Sequence, residues 1–404
     1  MIERVAYLSI HTSPLAAPGS GDAGGMNVYV HELAQVMAGR GVQVDVFTRG
    51  GTAGEVEVVP GYRVVQLASG RMGSAGDDAL AETVGDFAEG VARWAVRHRT
   101  AYDILHSHYW LSGWAGLLLH EVLRVPLAIS FHTLGRVKDA TRRADQAPAG
   151  LLRLAAETEV IARAGCVIAS TPVEAAQLIE HYAANPERLC VSPPGVDHGV
   201  FSPGSRSEAR SARGLAAEGP LVLFVGRLQP LKGADVAVAA FARLAGALPG
   251  CRLLVVGGPS GPQGAEEAAR LRAAAVAAGL GDRARFLPPV PHAELAGYYR
   301  AADVVVVPSR SESFGLVAVE AQACGVPVVA AAVGGLAHAV ADGESGILVS
   351  GWNPGEYAAA LLRVLTEPGL GARLSAGALA QAERFSWPAT ADRLLELYSG
   401  IARS

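Results

Sequence analysis

The sequence has few cysteines and no excess of positive charge, which argues against a zinc-binding or nucleic-acid-binding protein. Its 404 residues include four cysteines, which form no CxxC pair and lack the histidine spacing of a zinc site. The formal net charge is −4, and lysine and arginine are scattered along the chain. We therefore expect reduced thiols, no bound metal and no nucleic-acid partner.

Apolar runs long enough to cross a membrane are also missing. The N-terminal stretch MIERVAYLSIHTSP carries charges of both signs and is typical of a first strand and not of a signal peptide. The later run DVAVAAFARLAGAL carries aspartate and arginine and is typical of a core helix. We expect a cytoplasmic protein without a membrane anchor, and the sequence leaves a homodimer open.

Hydrophobic residues make up 50% of the chain, which is enough to build two ordinary domains. Apolar β-rich runs alternate with helical segments from RVAYLSI to CVIAST, and the alternation starts again at LVLFVG. This pattern predicts two Rossmann-like doubly wound α/β domains, residues 1–196 and 197–404. The terminal segment from Trp387 to Ile401 predicts an amphipathic helix that packs on either domain.

The loops that follow strands matter most, because open parallel sheets bind ligands at the carboxyl ends of their strands. The stretch GSGDAGGMNVYVHEL follows the first strand, and Gly24 and Gly25 let backbone amides approach an anion where the next helix begins. It is neither a GxGxxG motif nor a P-loop, so dinucleotide binding and ATP hydrolysis are not indicated. A flexible turn explains the glycines equally well.

Charged residues follow two strands of the second half. VGRLQPLKG places Arg227 and Lys232 where two cations neutralise a diphosphate, unless both are ordinary surface charges. SRSESFGLVAVEAQACG carries Glu312 and Glu320 around a predicted helix start whose amides can bind phosphate oxygens. Glu320, two turns into that helix, suits hydrogen bonds from ribose hydroxyls. Alternatively, one of the two glutamates caps the helix and the other lies on the surface.

Aromatic and hydroxyl groups follow two strands of the first half. SHYWLSGW and FHTLGRVK bring His108, Tyr109, His132 and Thr133 towards one sheet edge. Such groups suit a polyol ligand, although a single buried histidine is more often structural.

Taken together, these motifs resemble one family. HTSP, GDAGGMNVYV, HSHYWLSG, FHTL, VGRLQPLKG, VVGGPSGP and SESFGLVAVEAQACGVPVVA are similar to the family 4 retaining glycosyltransferases, with the inositol-phosphate N-acetylglucosaminyltransferases of mycothiol synthesis nearest and sucrose-phosphate synthases further off. The resemblance implies the GT-B fold, in which two Rossmann-like domains face a deep cleft. It implies an acceptor-binding first domain, a nucleotide-sugar-binding second domain and no metal or other cofactor.

The resemblance also assigns roles to residues. It implies four catalytic residues, Arg227, Lys232, Glu312 and His132. Donor binding falls to Gly24, Gly25, Phe314, Gly315, Leu316, Val317 and Glu320. Acceptor binding falls to Asn27, Asp77, Tyr109, Thr133 and Arg153.

Asp77 departs from the family pattern, because the mycothiol enzymes have a lysine there that pairs with the acceptor phosphate. A carboxylate facing a phosphate weakens binding. The expected acceptor is therefore an unphosphorylated cyclitol, an aminocyclitol or a thiol of a natural-product pathway, with inositol phosphate as the alternative. Arg71, Arg142 and Arg143 could restore the charge, and Asp77 could simply be a helix N-cap.

The leading hypothesis is a retaining hexosyltransferase that uses a nucleotide sugar, with UDP favoured over GDP. A sugar-nucleotide epimerase would not need the acceptor residues. A non-catalytic sugar-nucleotide-binding protein would not need every charged group at the donor site.

Overall fold

Two largely parallel sheets organise the chain, and their central strands are short and apolar, like Val304–Val307, in which every residue is buried. The computed structural model describes residues 2–19, 21–68, 80–261 and 263–403. The chain divides into two units. The first comprises Met1–Ala16, Gly25–Pro194 and Trp387–Ser404, and the second comprises Ala17–Gly24 and Gly195–Ser386.

The first unit contains an eight-stranded sheet in the order β3-β4-β2-β1-β5-β6-β7-β8. Its strands are β1 (Arg4–Ser9), β2 (Gln43–Gly50), β3 (Gly54–Val59), β4 (Tyr62–Ala68), β5 (Ile104–His108), β6 (Leu127–Ser130), β7 (Cys166–Ala169) and β8 (Leu189–Val191). Its helices are α1 (Gly25–Gly39), α2 (Val84–Arg97), α3 (Trp110–Leu123), α4 (Gly135–Ala140), α5 (Leu151–Arg163), α6 (Pro172–Tyr182) and a 3₁₀ turn at Pro186–Arg188. All pairings are parallel except that of β3 with β4.

The second unit contains a six-stranded parallel sheet in the order β11-β10-β9-β12-β13-β14. Its strands are β9 (Leu221–Val225), β10 (Arg252–Val256), β11 (Ala284–Leu287), β12 (Val304–Val307), β13 (Val328–Ala331) and β14 (Gly346–Val349). Its helices are α7 (Arg206–Ala212), α8 (Ala234–Ala247), α9 (Gly264–Ala277), α10 (Leu295–Ala301), α11 (Leu316–Ala323), α12 (Leu336–Ala339), α13 (Pro354–Thr366) and α14 (Leu370–Ala382), with 3₁₀ turns at Pro230–Lys232, Gly281–Arg283 and His292–Glu294.

The order of strands reverses once in each sheet, at β1 in the first unit and at β9 in the second. A crevice opens at such a switch point, because the loops on its two sides run in opposite directions. The predicted site residues follow β1, β5 and β6 in one sheet and β9 and β12 in the other.

The last helix, α15 (Trp387–Ile401), has the predicted bounds, and its packing, which the sequence left open, is on the first unit. The Tyr398 hydroxyl lies 2.6 Å from His106 Nδ1, and the Trp387 and Tyr29 rings meet edge to face with centroids 5.7 Å apart. At the other side of the helix, Asp392 forms a 2.8 Å ion pair with Arg40 of α1.

The structure adds elements that the sequence analysis did not predict. The β3–β4 hairpin gives the first sheet an antiparallel edge, and most of β3 is exposed. Charged and apolar residues alternate in its sequence GEVEVV, so it lacks the continuous apolar run that marked the other strands. After β4, the helix α2 begins at Val84, and Asp77, which could be a helix N-cap, lies outside the described residues.

Gly233 allows the turn after β9 to approach the end of β12. Its φ is +69°, and a Cβ there would lie 2.0 Å from the Pro308 carbonyl oxygen. An L side chain would meet both the left-handed strain and the backbone clash. The glycine therefore fixes how Lys232, the preceding residue, is placed.

We predict that Gly233→Ala lowers the free energy of unfolding by about 2 kcal/mol or more, because the methyl group cannot be accommodated without backbone movement. Urea unfolding of the full chain measures the loss. Gly246→Ala is the matched control. It lies in α8 with open space around it and should stabilise by up to about 1 kcal/mol. Equal effects of the two variants would contradict the close approach.

Candidate active site

In the second unit, an ion pair joins the loops after β9 and β12. Lys232 Nζ lies 2.6 Å from Glu312 Oε2, and both side chains are mostly buried. The Ser309 hydroxyl donates to the same carboxylate oxygen at 3.3 Å. An ammonium group has three N–H donors, so a lysine held in this way can also bind a phosphate oxygen.

Arg227 lies beside the glycine-rich segment, as part of the same unit. Its Nη1 donates to the Asp22 carbonyl oxygen at 3.2 Å and to the Ser260 hydroxyl at 3.3 Å. A Cβ on Gly24 would lie 3.3 Å from Arg227 Nε, so glycine leaves space beside the guanidinium. The structure thus brings Gly24 and Arg227 together, whereas Gly25 is the first residue of α1 in the first unit.

The helix α11 begins at Leu316, within the predicted SFGL turn, so Leu316 and Val317 form its first turn. Gly315 precedes it with φ +107°, and a Cβ there would lie 2.7 Å from Leu336 Cδ2. Phe314 is buried, and the Glu312 carbonyl accepts a 2.8 Å hydrogen bond from Gly335 N–H. These contacts fix the amides at the start of a helix, where its dipole favours an anion.

Glu320 is buried on α11 and already has a hydrogen-bond partner on each carboxylate oxygen. The Tyr299 hydroxyl donates to Oε2 at 2.7 Å, and His292 Nε2 lies 2.7 Å from Oε1. Burial, and then the Glu320 charge, raise the pKa of Tyr299, so its hydroxyl stays protonated and donates. Each carboxylate oxygen accepts more than one bond, so a ribose hydroxyl could join these partners.

In the first unit, the predicted acceptor residues Tyr109, Thr133 and Arg153 lie together. The buried Arg153 donates from Nη2 to the Thr133 carbonyl at 3.2 Å and to its hydroxyl at 3.3 Å. Its guanidinium carbon lies 5.0 Å from the centroid of the Tyr109 ring. Tyr109 immediately precedes α3 with φ +75°, and its ring packs on His11 with centroids 5.1 Å apart.

A carboxylate that the sequence analysis missed holds this cluster. Glu157 is fully buried and accepts from Arg153 Nε at 2.7 Å and from the Gly135 amide at 3.0 Å. The Tyr182 hydroxyl also donates to it. Glu157 lies four residues after Arg153 on α5, and this helical spacing was the available signal.

Asn27 is buried on α1, and its amide donates to the Thr12 hydroxyl and to the Ser13 carbonyl. Because Thr12 follows His11, which contacts Tyr109, Asn27 is connected to the group of Tyr109, Thr133 and Arg153. Asp77 and Arg71 lie outside the described residues. Arg143 is paired with Asp145 at 2.6 Å.

Three histidines lie next to this group: His106 and His108 are buried, and His132 is partly buried. His132, with φ +59°, places Nε2 3.1 Å from His108 Nδ1. His106 lies between the Tyr398 hydroxyl at 2.6 Å and the Ser130 hydroxyl at 3.0 Å. Burial lowers the pKa of His106 and of His132 to about 3 and that of His108 well below its usual value, so the three imidazoles are neutral.

Comparisons with known proteins match a family model to each half of the chain. Residues 205–381 match the glycosyl transferases group 1 family, and residues 24–195 match the glycosyl transferase 4-like domain. A D-inositol 3-phosphate glycosyltransferase from Actinosynnema mirum is 49% identical, covering 100% of this chain and 98% of that protein. The chain belongs to the group 1 glycosyl transferases and carries a glycosyl transferase 4-like domain.

Two further relatives support the assignment. The D-inositol 3-phosphate glycosyltransferase from Mycolicibacterium smegmatis is 48% identical, covering 98% of this chain and 91% of that protein. The structure of sucrose-phosphate synthase from Thermosynechococcus elongatus is 35% identical, with a TM-score of 0.92 and full coverage of both chains.

These findings confirm the resemblance, the two Rossmann-like α/β units of a GT-B glycosyltransferase, and glycosyl transfer as the activity. They favour the phosphorylated acceptor, which was the alternative, over the unphosphorylated one inferred from Asp77. The residue roles stay predictions. Within the described residues, no helix combines the length and the hydrophobicity that a membrane crossing requires.

The neutral histidines make stability depend on pH. In the unfolded chain imidazoles titrate near pH 6.5, whereas His106 and His132 in the folded unit protonate only near pH 3. Between these values the unfolded state binds more protons, so stability falls as the pH drops below 6.5. Glu174 acts in the opposite direction below pH 7, since burial raises its pKa to about 7.

We predict that the stability of His106→Gln falls less steeply than that of the wild type below pH 6.5, by up to about 1.4 kcal/mol per pH unit. The stability of Glu174→Gln should fall more steeply than that of the wild type, because this variant lacks the carboxyl group whose protonation opposes the loss. Urea unfolding at pH 7.5, 6.0 and 5.0 gives the slopes. Parallel curves for the wild type and His106→Gln would show that His106 is not held neutral.

Proposed function

We propose that the protein transfers a hexose, with retention of anomeric configuration, from a nucleoside-diphosphate sugar to D-inositol 3-phosphate. UDP is the favoured nucleotide, and the resemblance suggests N-acetylglucosamine as the sugar. The observation that carries the acceptor assignment is Arg153, a buried guanidinium held among the predicted acceptor residues, in a chain almost half identical to D-inositol 3-phosphate glycosyltransferases.

The second unit would stabilise the leaving diphosphate. Arg227 and Lys232 follow the switch-point strand β9, and the amides at the start of α11 add the positive end of a helix dipole. Positive charge placed where negative charge grows in the transition state lowers the barrier. Glu312 and Glu320 accept hydrogen bonds and suit hydroxyl groups of the donor sugar and the ribose.

In the proposed reaction, the acceptor oxygen bonds to the anomeric carbon on the face from which the diphosphate departs. The bond between that carbon and the diphosphate oxygen breaks, and the departing phosphate takes the proton of the acceptor hydroxyl. A covalent sugar intermediate is not part of the proposal. The proposed reaction needs no metal ion, because Arg227 and Lys232 can supply the positive charge that a divalent cation would bring.

The first unit would bind the acceptor phosphate. Arg guanidinium groups match phosphate in two-pronged geometry, and the Thr133 and Tyr109 hydroxyls are further donors. Glu157 offsets part of the charge of Arg153. An unphosphorylated cyclitol, an aminocyclitol or a thiol is the second candidate, because Asp77 stands where the resembling enzymes place a lysine.

The decisive assay supplies UDP-N-acetylglucosamine with D-inositol 3-phosphate, myo-inositol, an aminocyclitol or a small thiol, and follows UDP release and glycoside formation. We expect efficient transfer to D-inositol 3-phosphate, unchanged by EDTA. A clear preference for an unphosphorylated acceptor would transfer the assignment to the second candidate. Loss of activity in EDTA with recovery in Mg²⁺ would overturn metal independence.

Arg153→Lys tests the phosphate contact and keeps a positive charge beside Glu157. It should raise KM for D-inositol 3-phosphate about 10-fold or more, because an ammonium lacks the fork of a guanidinium and a charged hydrogen bond contributes about 1.5–3 kcal/mol. KM for the donor should stay unchanged. Arg163→Lys, at the exposed end of the same helix, is the matched control. An unchanged acceptor KM in Arg153→Lys would remove this residue from the phosphate site.

A further inference from the structure

We propose that His108 is a positioning residue that holds His132 in the Nδ1–H tautomer, so that the His132 imidazole meets the substrate as a hydrogen-bond donor and not as a base. The inference rests on the proposed function and on the catalytic role that the resemblance implies for His132. It concerns the distribution of protons between two imidazoles, which can be measured whether or not the acceptor is correctly identified.

The two rings are joined nitrogen to nitrogen. His108 Nδ1 and His132 Nε2 are 3.1 Å apart, and the rings lie 28° from parallel with centroids 5.3 Å apart. His108 comes from the end of β5 and is fully buried, while His132 follows β6. The parallel strands β5 and β6 pair His108 with Ser130, and His132 lies two residues beyond that partner.

One proton occupies the gap between these nitrogens. Burial lowers the pKa of both imidazoles, so each ring is neutral and has one N–H and one bare nitrogen. Either His108 Nδ1–H donates to His132 Nε2, or His132 Nε2–H donates to His108 Nδ1. The two arrangements differ in what they leave on the far nitrogen of His108.

The environment of the far nitrogen, His108 Nε2, decides between the two proton arrangements. Among the described residues, the buried His108 Nε2 has no hydrogen-bond partner. If His132 were the donor, His108 would bury an N–H without an acceptor, and such orphaned donors are rare in folded proteins. If His108 is the donor, only a bare lone pair is left. The second arrangement is therefore favoured, and it puts the proton of His132 on Nδ1.

The surroundings of His108 hold the ring in place. The His106 ring lies 4.2 Å away, and both of its nitrogens face hydroxyl groups, those of Tyr398 and Ser130. The Tyr7 ring packs on His108 with centroids 5.1 Å apart. These contacts keep His108 Nδ1 directed at His132.

The consequence concerns the chemistry of His132. Since Nε2 accepts from His108, any hydrogen bond from this ring to a sugar oxygen is donated by Nδ1–H. A ring whose bare nitrogen is already occupied cannot take a proton from the acceptor hydroxyl. The proposed transfer of that proton to the departing phosphate agrees with this assignment.

The test is ¹⁵N NMR of the full chain labelled at histidine, with signals assigned by His132→Gln and His108→Gln. We expect His132 to show a protonated Nδ1 and a bare Nε2, and His108 the same pattern. Protonated Nε2 on His132 would overturn the proposal. So would rapid averaging between the two tautomers.

Activity provides a second, independent readout. His108→Phe fills a similar space without a hydrogen bond and should lower kcat about 10- to 100-fold, the usual cost of losing a partner that orients a catalytic histidine. His108→Asn, which keeps an N–H near the position of Nδ1, should recover much of kcat, and KM for the donor should stay constant in both. His120→Asn, at an exposed position on α3, is the control. Equal loss in His108→Phe and His108→Asn would make His108 merely structural, whereas failure of every acceptor with an intact NMR pattern would count against the proposed function alone.

Discussion

The ion pair between Lys232 and Glu312 is the contact on which the geometry of the donor side depends. It links the loops after β9 and β12, whose backbones approach closely where Gly233 faces the Pro308 carbonyl oxygen. Gly233 makes that approach possible, since any side chain there would meet the Pro308 carbonyl. The start of α11 follows from the same loop, so the cation, the carboxylate and the helix amides are placed by one arrangement of backbone.

In the first unit, the main physical constraint is that buried polar and charged groups need partners. Arg153 is buried and paired with Glu157, whose remaining bonds go to a backbone amide and a tyrosine hydroxyl. The nearby histidines are neutral, and their hydrogen bonds go to each other and to the hydroxyls of Tyr398 and Ser130. Removing one partner from such a network costs more than the net contribution of the bond, because a buried polar group is left without a partner.

Much of the fold was predictable, because strand ends in an α/β protein are marked by abrupt changes from apolar to polar residues. The motifs around Arg227, Lys232 and Glu312 lie where the sequence placed them. The partners Glu157, His292 and Tyr299 were not predictable as a set, since His292 and Tyr299 reach Glu320 from another part of the chain. The packing of α15 depends on Tyr398 meeting His106, a contact across 292 residues that no local pattern encodes.

The acceptor shows the limit of reasoning from one substitution. A carboxylate at position 77 argues for a neutral or cationic acceptor, whereas relatives across the full length of the chain act on an inositol phosphate according to their names. Charge at a binding site is a sum over many groups, so a single reversed residue fixes the sign of one contribution and not of the whole. In the described part of the proposed acceptor site, Arg153 supplies positive charge and Glu157 offsets part of it.

Lys232 is proposed to act on the negative charge that develops as the diphosphate leaves. Single-turnover kinetics test this role. The chain has only one other lysine, Lys138, so Lys138→Met is a natural control for Lys232→Met. This role predicts that Lys232→Met lowers the rate of glycosyl transfer at saturating donor by about 10²-fold or more, with a much smaller change in donor Kd. A transfer rate within a few-fold of wild type, or a loss confined to donor Kd, would contradict it.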